Sequence, residues 1–329
     1  MLPAHCHLPI AVAQAGDLAV ARATAAELAA DIPLGAEGRH RFDLIVAELG
    51  SNLVRHAAQG GMLLFRRLDD PAGVECLCLD RGPGIADPAT ALRDGESGDH
   101  GLGLGLGAVR RLSDGFALHS TPDTGTAILA RVQPAPRRPA DFAAGAVMVP
   151  MAGQADCGDG WLVTANGMAA VIDGLGHGEP ASLAARAAEA AIAGGHDNPA
   201  AALGAMHLAL RGTRGAVAAA ALLTEGQIRF AGIGNIGAVL IRAGVPTHLT
   251  SAWGVLGYNA RRAPVQVAPW SPGDVLLLHS DGLGHVAEAF TGGRLHGLDP
   301  ALAAAIILRD AASRLDDRTV LVLAHAAGP

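Results

Sequence analysis

Four acidic positions stand at the ends of apolar runs in the second half of this sequence. Asp159 comes just before WLV. Asp173-Gly174 closes MAAVI, Asp281-Gly282 closes DVLLLHS, and Asp316-Asp317 precedes RTVLVLA. Taken singly, Asp beside Gly is an ordinary turn. Brought together, four carboxylates are costly to bury unless a cation neutralises them. Ligands of this all-oxygen kind suit hard divalent ions, Mg²⁺ or Mn²⁺.

A second set of polar residues lies in the first half. In 41–59, RFDLIVAELGSNLVRHAAQ, Phe42, Ile45, Val46, Leu49 and Leu53 make one apolar helical stripe. Glu48 and Asn52 fall off that stripe and one turn apart, so both side chains point the same way. In 74–85, VECLCLDRGPGI, strand-like alternation ends in Asp80, and Gly82 and Gly84 then break the strand. A carboxylate there can accept a hydrogen bond from an exocyclic amine such as that of adenine. Residues 99–112, DHGLGLGLGAVRRL, alternate glycine with leucine before a helix-like run. Such a loop can hold a phosphate on backbone N–H groups. DTGTAILA, 123–130, reads as a turn entering a strand.

The elements that must position these residues are short. Asn166-Gly167 is a hairpin signal between two strand-like runs, and the hairpin it predicts brings Asp159 beside Asp173. Helix-like alanine-rich stretches occupy 180–194 and 199–211. RVQPAPRRPADFAAG, 131–145, reads as a linker, and 329 residues are enough for a separate core on each side of it.

Composition removes several alternatives. The chain has no lysine: all 24 of its basic residues are arginine. A Walker-type P-loop, the usual protein-kinase site and a Schiff-base mechanism are therefore excluded. The stretch before the glycine loop, LRDGESGDH, is polar rather than strand-like, which rules out a dinucleotide-binding turn. A net charge of −7 argues against nucleic-acid partners. No apolar run approaches the ~20 residues of a bilayer span, and the N-terminus lacks the basic start of a signal peptide. Cys6, Cys76, Cys78 and Cys157 fit no zinc spacing and read as buried thiols of a cytoplasmic protein.

In order, the first-half pieces are E-L-x-x-N-x-x-x-H-A, D-x-G-x-G-I, G-L-G-L-G and G-T. That series resembles the GHKL ATPase/kinase superfamily, and within it the RsbT/RsbW-like serine-protein kinases of anti-sigma and stressosome switches. The resemblance implies an α/β sandwich, a mixed sheet covered by helices, that uses ATP and Mg²⁺. It assigns Glu48 as general base and Asn52 as the Mg²⁺ ligand. Asp80, with Gly82, Gly84 and Thr126, would form the adenine pocket, and Gly101, Gly103 and Gly105 the lid over the phosphates. His56 matches the pattern and reads as packing.

The second-half set, D-G-x-G-H-G, S-D-G and D-D-x-T, resembles the PPM-type serine/threonine phosphatases, in their SpoIIE-like branch with RsbX-like small members. It implies an αββα sandwich and hydrolysis of phosphoserine or phosphothreonine with two Mn²⁺ or Mg²⁺. Asp173 would bridge the ions and the Gly174 carbonyl would add a ligand. Asp159 would complete one site, with Asp156 as its competitor. Asp281 and Asp316 would complete the other, with Asp317 as the alternative to Asp316. His177 matches the G-H-G element without an assigned role, and GIGNIG, 232–237, reads as a structural turn.

The expectation is thus a two-domain α+β chain: a kinase-like domain over 1–132, a linker over 133–143 and a phosphatase domain over 144–329. Implied partners are STAS-domain proteins, such as anti-sigma-factor antagonists or stressosome scaffolds, with a sigma factor as a further candidate. The competing reading makes the front domain a non-catalytic module that binds ATP or a sigma factor.

Overall fold

The computed structural model describes residues 5–93, 105–122, 124–134 and 142–325. The chain divides into two compact units, His7–Pro139 and Ala140–Pro329, the second joined by Met1–Cys6. Cys6 belongs to the second unit because it packs with Met148 and Cys157. All four cysteines are unbridged and buried.

In the front unit the chain runs β1 (Leu8–Val12), α1 (Ala15–Ala30), α2 (Gly35–His56), β2 (Gly61–Asp69), β3 (Ala72–Asp80), α3 (Pro88–Ala91), α4 (Gly105–Leu112), β4 (Gly115–Thr121) and β5 (Gly125–Val132). The stripe Phe42, Ile45, Val46, Leu49 and Leu53 is buried against Phe65, Cys76, Cys78 and Ile128 of the sheet. Phe42 and Phe65 meet edge to face, their centroids 6.2 Å apart. α1 lies on the same layer through Ala21, Ala25 and Ala29, one residue per turn.

The front sheet, ordered β1-β2-β3-β5-β4, is antiparallel throughout rather than mixed. The connections explain this. Two helices separate β1 from β2, an even number of passes, so β2 returns against β1. β3 and β4 run parallel with α4 between them, but β5 enters from the β4 hairpin and keeps them apart.

The rear unit is an αββα sandwich. It runs β6 (Phe142–Val149), β7 (Asp159–Val163), β8 (Met168–Gly174), α5 (Glu179–Ile192), α6 (Pro199–Ala209), β9 (Ala216–Thr224), β10 (Gln227–Ile233), β11 (Gly237–Arg242), β12 (Val245–His248), β13 (Gln266–Pro269), β14 (Val275–His279), α7 (Pro300–Ala311) and β15 (Arg318–His325). One sheet is ordered β13-β10-β9-β8-β7 and the other β12-β11-β14-β15-β6, both antiparallel. Alternate residues of β8 and β9 sort to two cores. Ala169, Val171, Ala219 and Ala221 face the other sheet, while Ala170, Ile172, Ala218 and Ala220 lie under α5 and α6.

These central strands are buried on both faces, so they read as continuous apolar runs. β9 meets that demand with alanine at five of its nine positions. α7 covers the outside of the second sheet. It comes so close to β6 that a methyl on Gly145 would stand 2.2 Å from the Ala301 nitrogen.

Candidate functional site

In the rear unit the aspartates gather at one end of the sandwich. Asp159 opens β7 and Asp173 nearly closes β8, and the two are register partners across the hairpin. Directly opposed residues share a face with Cβ atoms ~5 Å apart, so the two carboxylates are neighbours. Residues 164–167 make the turn, with the Gly167 N–H donating to the Thr164 carbonyl. The face they share looks into the sandwich. Across it, Ser280 follows β14 and Thr319 lies on β15, and Ser280 Oγ accepts the Thr319 N–H at 2.9 Å. Asp281 follows Ser280, while Asp316 and Asp317 precede β15.

Burial first, then the charges of Asp159, Asp281, Asp316 and Asp317, push Asp173 up to about 9. Burial also pushes Asp159 up to about 7, although the Ser280 and Thr319 side chains beside it favour its charged form. Asp159 is 3% exposed, and its Oδ2 has no hydrogen-bond partner among the described residues. A buried carboxylate oxygen left unmatched among other carboxylates calls for a cation.

The remaining carboxylates are each held by specific groups. Asp281 Oδ2 accepts from Asn235 Nδ2 at 2.7 Å and pairs with Arg314 at 2.6 Å. Asp317 accepts the backbone N–H groups of Met151 at 2.7 Å and Gly158 at 2.8 Å, and burial raises its carboxyl above the usual range. Asp316 Oδ1 takes the Asp317 N–H at 2.9 Å. Asp156 lies apart, paired with Arg186 at 3.5 Å. Gly174 donates its N–H to the Gly158 carbonyl. Among the described residues no three His, Cys or acidic side chains form a ready-made cage for one ion. The donor set nonetheless fits hard cations, which bind through one or two carboxylates and keep several waters.

In the front unit Glu48 and Asn52 lie one turn apart on α2, with Glu48 buried and Asn52 half-buried. Glu48 Oε1 accepts the Gly105 N–H at 3.2 Å, so it stands at the N-terminus of α4. A negative side chain is favoured there. Arg55 reaches back along α2 to Asn52 Oδ1 at 3.4 Å and to Glu48 Oε1 at 3.8 Å.

Asp80 ends β3, and its Oδ1 accepts the N–H of Gly82 at 2.7 Å and of Thr126 at 3.1 Å. Those two amides fix the carboxylate's direction. Thr126, itself buried, shares a hydrogen bond with Ser120. Gly125 has φ +91°, and a methyl there would stand 2.2 Å from the Asp80 carbonyl oxygen. Gly84 follows in the same turn with φ +75°. A strand-end carboxylate, a half-buried amide and a glutamate at a helix N-terminus make a donor set that fits a nucleotide and its Mg²⁺.

Gly101 and Gly103 lie outside the described residues. His56 is exposed at the C-terminal end of α2 rather than packed, where a basic group suits the helix dipole. His177 is exposed too. Sequence reasoning missed Arg314, and it read the turn holding Asn235 as structural only. It carried Ser280 and Thr319 as letters of S-D-G and D-D-x-T, and Arg55 as a neighbour of Asn52 on α2, without giving any of the three a role.

Residues 11–132 match the family model of the histidine kinase-like ATPase domain, and residues 165–326 that of stage II sporulation protein E, SpoIIE. Over 115 residues the chain is 33% identical to the serine/threonine-protein kinase RsbT of Bacillus subtilis (strain 168), covering 35% of this chain and 86% of RsbT. A chain solved in work on the bacterial stressosome, described as a modular system adapted to control secondary messenger signaling, is similar at 30% identity and a TM-score of 0.51. That match covers 56% of this chain and all of the other. RsbX, solved with magnesium, shares the fold at 19% identity and a TM-score of 0.50, over 57% of this chain and 96% of RsbX. Among the described residues no helix is long and apolar enough to cross a membrane.

Proposed function

From a chain that belongs to the RsbT-like histidine kinase-like ATPases through its front half and to the SpoIIE phosphatases through its rear half, we propose a two-way phosphorylation switch. The front half transfers phosphate from ATP to a serine or threonine, and the rear half removes it. The observation that carries this reading is the Asp159–Asp173 cross-strand pair, the first buried and the second half-buried, with raised carboxyls and the charges of Asp281 and Asp316 acting on Asp173.

In the rear half the charges of Asp159, Asp281, Asp316 and Asp317 all act on Asp173, which would bridge two Mn²⁺ or Mg²⁺ ions. Asp159 and the Gly174 carbonyl would complete one site, and Asp281 and Asp316 the other. Asp316 is favoured over Asp317 because two backbone N–H groups already occupy Asp317. Asp159 is favoured over Asp156 because only Asp159 faces Asp173. The ions supply charge neutralisation for the phosphoryl group and lower the pKa of the attacking water. The Ser280 and Thr319 side chains beside Asp159 favour its charged form, and Asn235 with Arg314 orients the carboxylate of Asp281.

In the front half Asp80 accepts the adenine amine, its direction fixed by the Gly82 and Thr126 amides. Glu48 accepts the proton of the substrate hydroxyl, and the Gly105 N–H keeps it aimed. Asn52 would hold Mg²⁺, whose charge offsets that of the phosphates. Phosphoryl transfer needs positioning and neutralisation more than covalent help, so the lack of lysine is no obstacle.

The likeness to RsbT and to a stressosome chain supports STAS-domain proteins as substrates and the cytoplasm as the setting. The test uses an Asp173→Asn chain, so that phosphate once transferred is not removed. Label from γ-³²P-ATP should appear on a purified STAS-domain partner. With ATP bound but no label transferred, the front half is a nucleotide-binding regulator instead. Mn²⁺-dependent phosphate release from that partner should be lost in both Asp173→Asn and Asp281→Asn. Release that survives both refutes the rear assignment.

A further inference from the structure

A cavity of about 440 Å³ opens in the rear unit between α6 and residues 256–263. Leu203, Ile233 and Leu256 form part of its apolar lining, and His207, Arg261 and Arg262 its polar part. The chain is poor in aromatics, with one Tyr and three Trp. It exposes that tyrosine, Tyr258 at 64%, and one tryptophan, Trp253 at 79%, on this loop. Leu208 is exposed on the adjoining turn of α6.

Four arginines belong to the same region: Arg211 and Arg214 after α6, and Arg261 and Arg262 on the loop. All four are exposed, and among the described residues none of the four guanidiniums has an ion-pair or hydrogen-bond partner. The chain as a whole carries −7, so a concentration of unpaired cations needs a reason.

The loop is built rather than loose. Tyr258 donates its hydroxyl to the Thr213 carbonyl at 2.9 Å, and the Gly257 N–H donates to His207 Nδ1 at 3.2 Å. The Val255 carbonyl accepts from Tyr258, Asn259 and Ala260. Two bonds then tie it to the aspartate centre. Leu256 exchanges backbone hydrogen bonds with Ala216, and Ala216 is the register partner of Gly174, next to Asp173. Arg214 lies over Gly176, where a methyl would stand 2.8 Å from its Nη1.

We propose that this face is the docking surface for an acidic, partly apolar segment of the phosphoprotein that the aspartate centre hydrolyses. Exposed Trp, Tyr and Arg around a pocket make the composition of protein-interface hot spots. Guanidiniums recognise carboxylates with two parallel hydrogen bonds. A free anion would use the arginines but leave Trp253, Tyr258 and Leu208 uncovered, whereas a peptide segment covers both. Continuity from the cavity through Arg214 to the Asp173 loop lets one bound chain reach both places.

This rests on the phosphatase reading of the rear half, and the test keeps the two apart. The full chain is titrated with a peptide of alternating Glu and Leu and with its Gln–Leu counterpart, following Trp fluorescence. The acidic peptide should bind at least tenfold more tightly at low salt, and Arg261→Ala/Arg262→Ala should erase that difference. Equal affinities, or a difference that survives the double substitution, overturn the proposal whatever the chain catalyses. Inorganic phosphate that displaces the peptide at equal concentration assigns the pocket to a free anion and overturns the protein-segment claim. In parallel, the double variant should raise KM for a phosphorylated protein substrate about tenfold while kcat holds. Mn²⁺-dependent p-nitrophenyl phosphate hydrolysis reads the aspartate centre alone, and its absence in the parent chain defeats the phosphatase reading, not the docking surface.

Discussion

Binding of Mn²⁺ to the rear unit should expel protons, and the number follows from the aspartate pair. With Asp173 at about 9 and Asp159 at about 7, the metal-free protein at pH 7 holds about one proton on the first and about half a proton on the second. A cation requires both carboxylates ionised. About 1.5 protons should therefore leave at pH 7, about 2 at pH 6 and about 1 at pH 8. Isothermal titration calorimetry in buffers of low and high ionisation enthalpy measures that number directly. The logarithm of the apparent affinity should climb by the same slope, about 1.5 per pH unit near pH 7. Asp173→Asn should remove about one proton from the count. The same groups fix a stability trend. Their folded carboxyls lie above the ordinary carboxylate range, so the folded state keeps protons that the unfolded chain has lost. Metal-free stability should then fall as pH rises from about 4 towards 9, and Mn²⁺ should restore more of it at the alkaline end. Affinity that is flat from pH 6 to 8 with no proton release would refute the reasoning.

Asp316→Ala and Asp317→Ala should separate: the first abolishes phosphatase activity with little change in Tm, whereas the second costs about 3 kcal/mol in denaturant unfolding because two amides lose a charged acceptor. Equal stability losses would reverse the assignment of the two. Glu48→Gln should retain nucleotide affinity within about threefold while phosphotransfer drops by about 10²-fold or more, read from equilibrium binding and initial rates. Gly125→Ala should destabilise the front unit by about 3 kcal/mol and weaken ATP binding, because its φ of +91° and the Asp80 carbonyl leave no room for a methyl. A Tm unchanged by that substitution would remove the strained turn from the account.

Much of the site was legible because local signals set it. The Asn166-Gly167 turn and the lengths of the two runs beside it were enough to oppose Asp159 and Asp173. The stripe through Phe42 and Leu53 placed Glu48 and Asn52 on one helix, although the helix begins at Gly35, in a polar stretch without apolar period. Pairings between distant segments were not legible. Nothing in the alternation of β5 tells that it lies between β3 and β4, and that insertion is what makes the sheet antiparallel throughout. Arg314 and Asn235 meet on Asp281 from positions 79 residues apart in number, joined only by the fold of the second sheet. His56 matched a pattern that fixes residue type but not exposure.

β9 carries a further consequence. It is the middle strand of its sheet, and Ala216 and Ala218–Ala221 are fully buried between a helical layer and the opposing sheet. A waist made of methyl groups brings its neighbours in until no slack remains. Enlargement to valine or leucine there has nowhere to go, while trimming to glycine removes little. Sequence drift in this unit should therefore collect at its rim and bypass its middle, and libraries meant to alter its activity are best aimed at the loops around the aspartates.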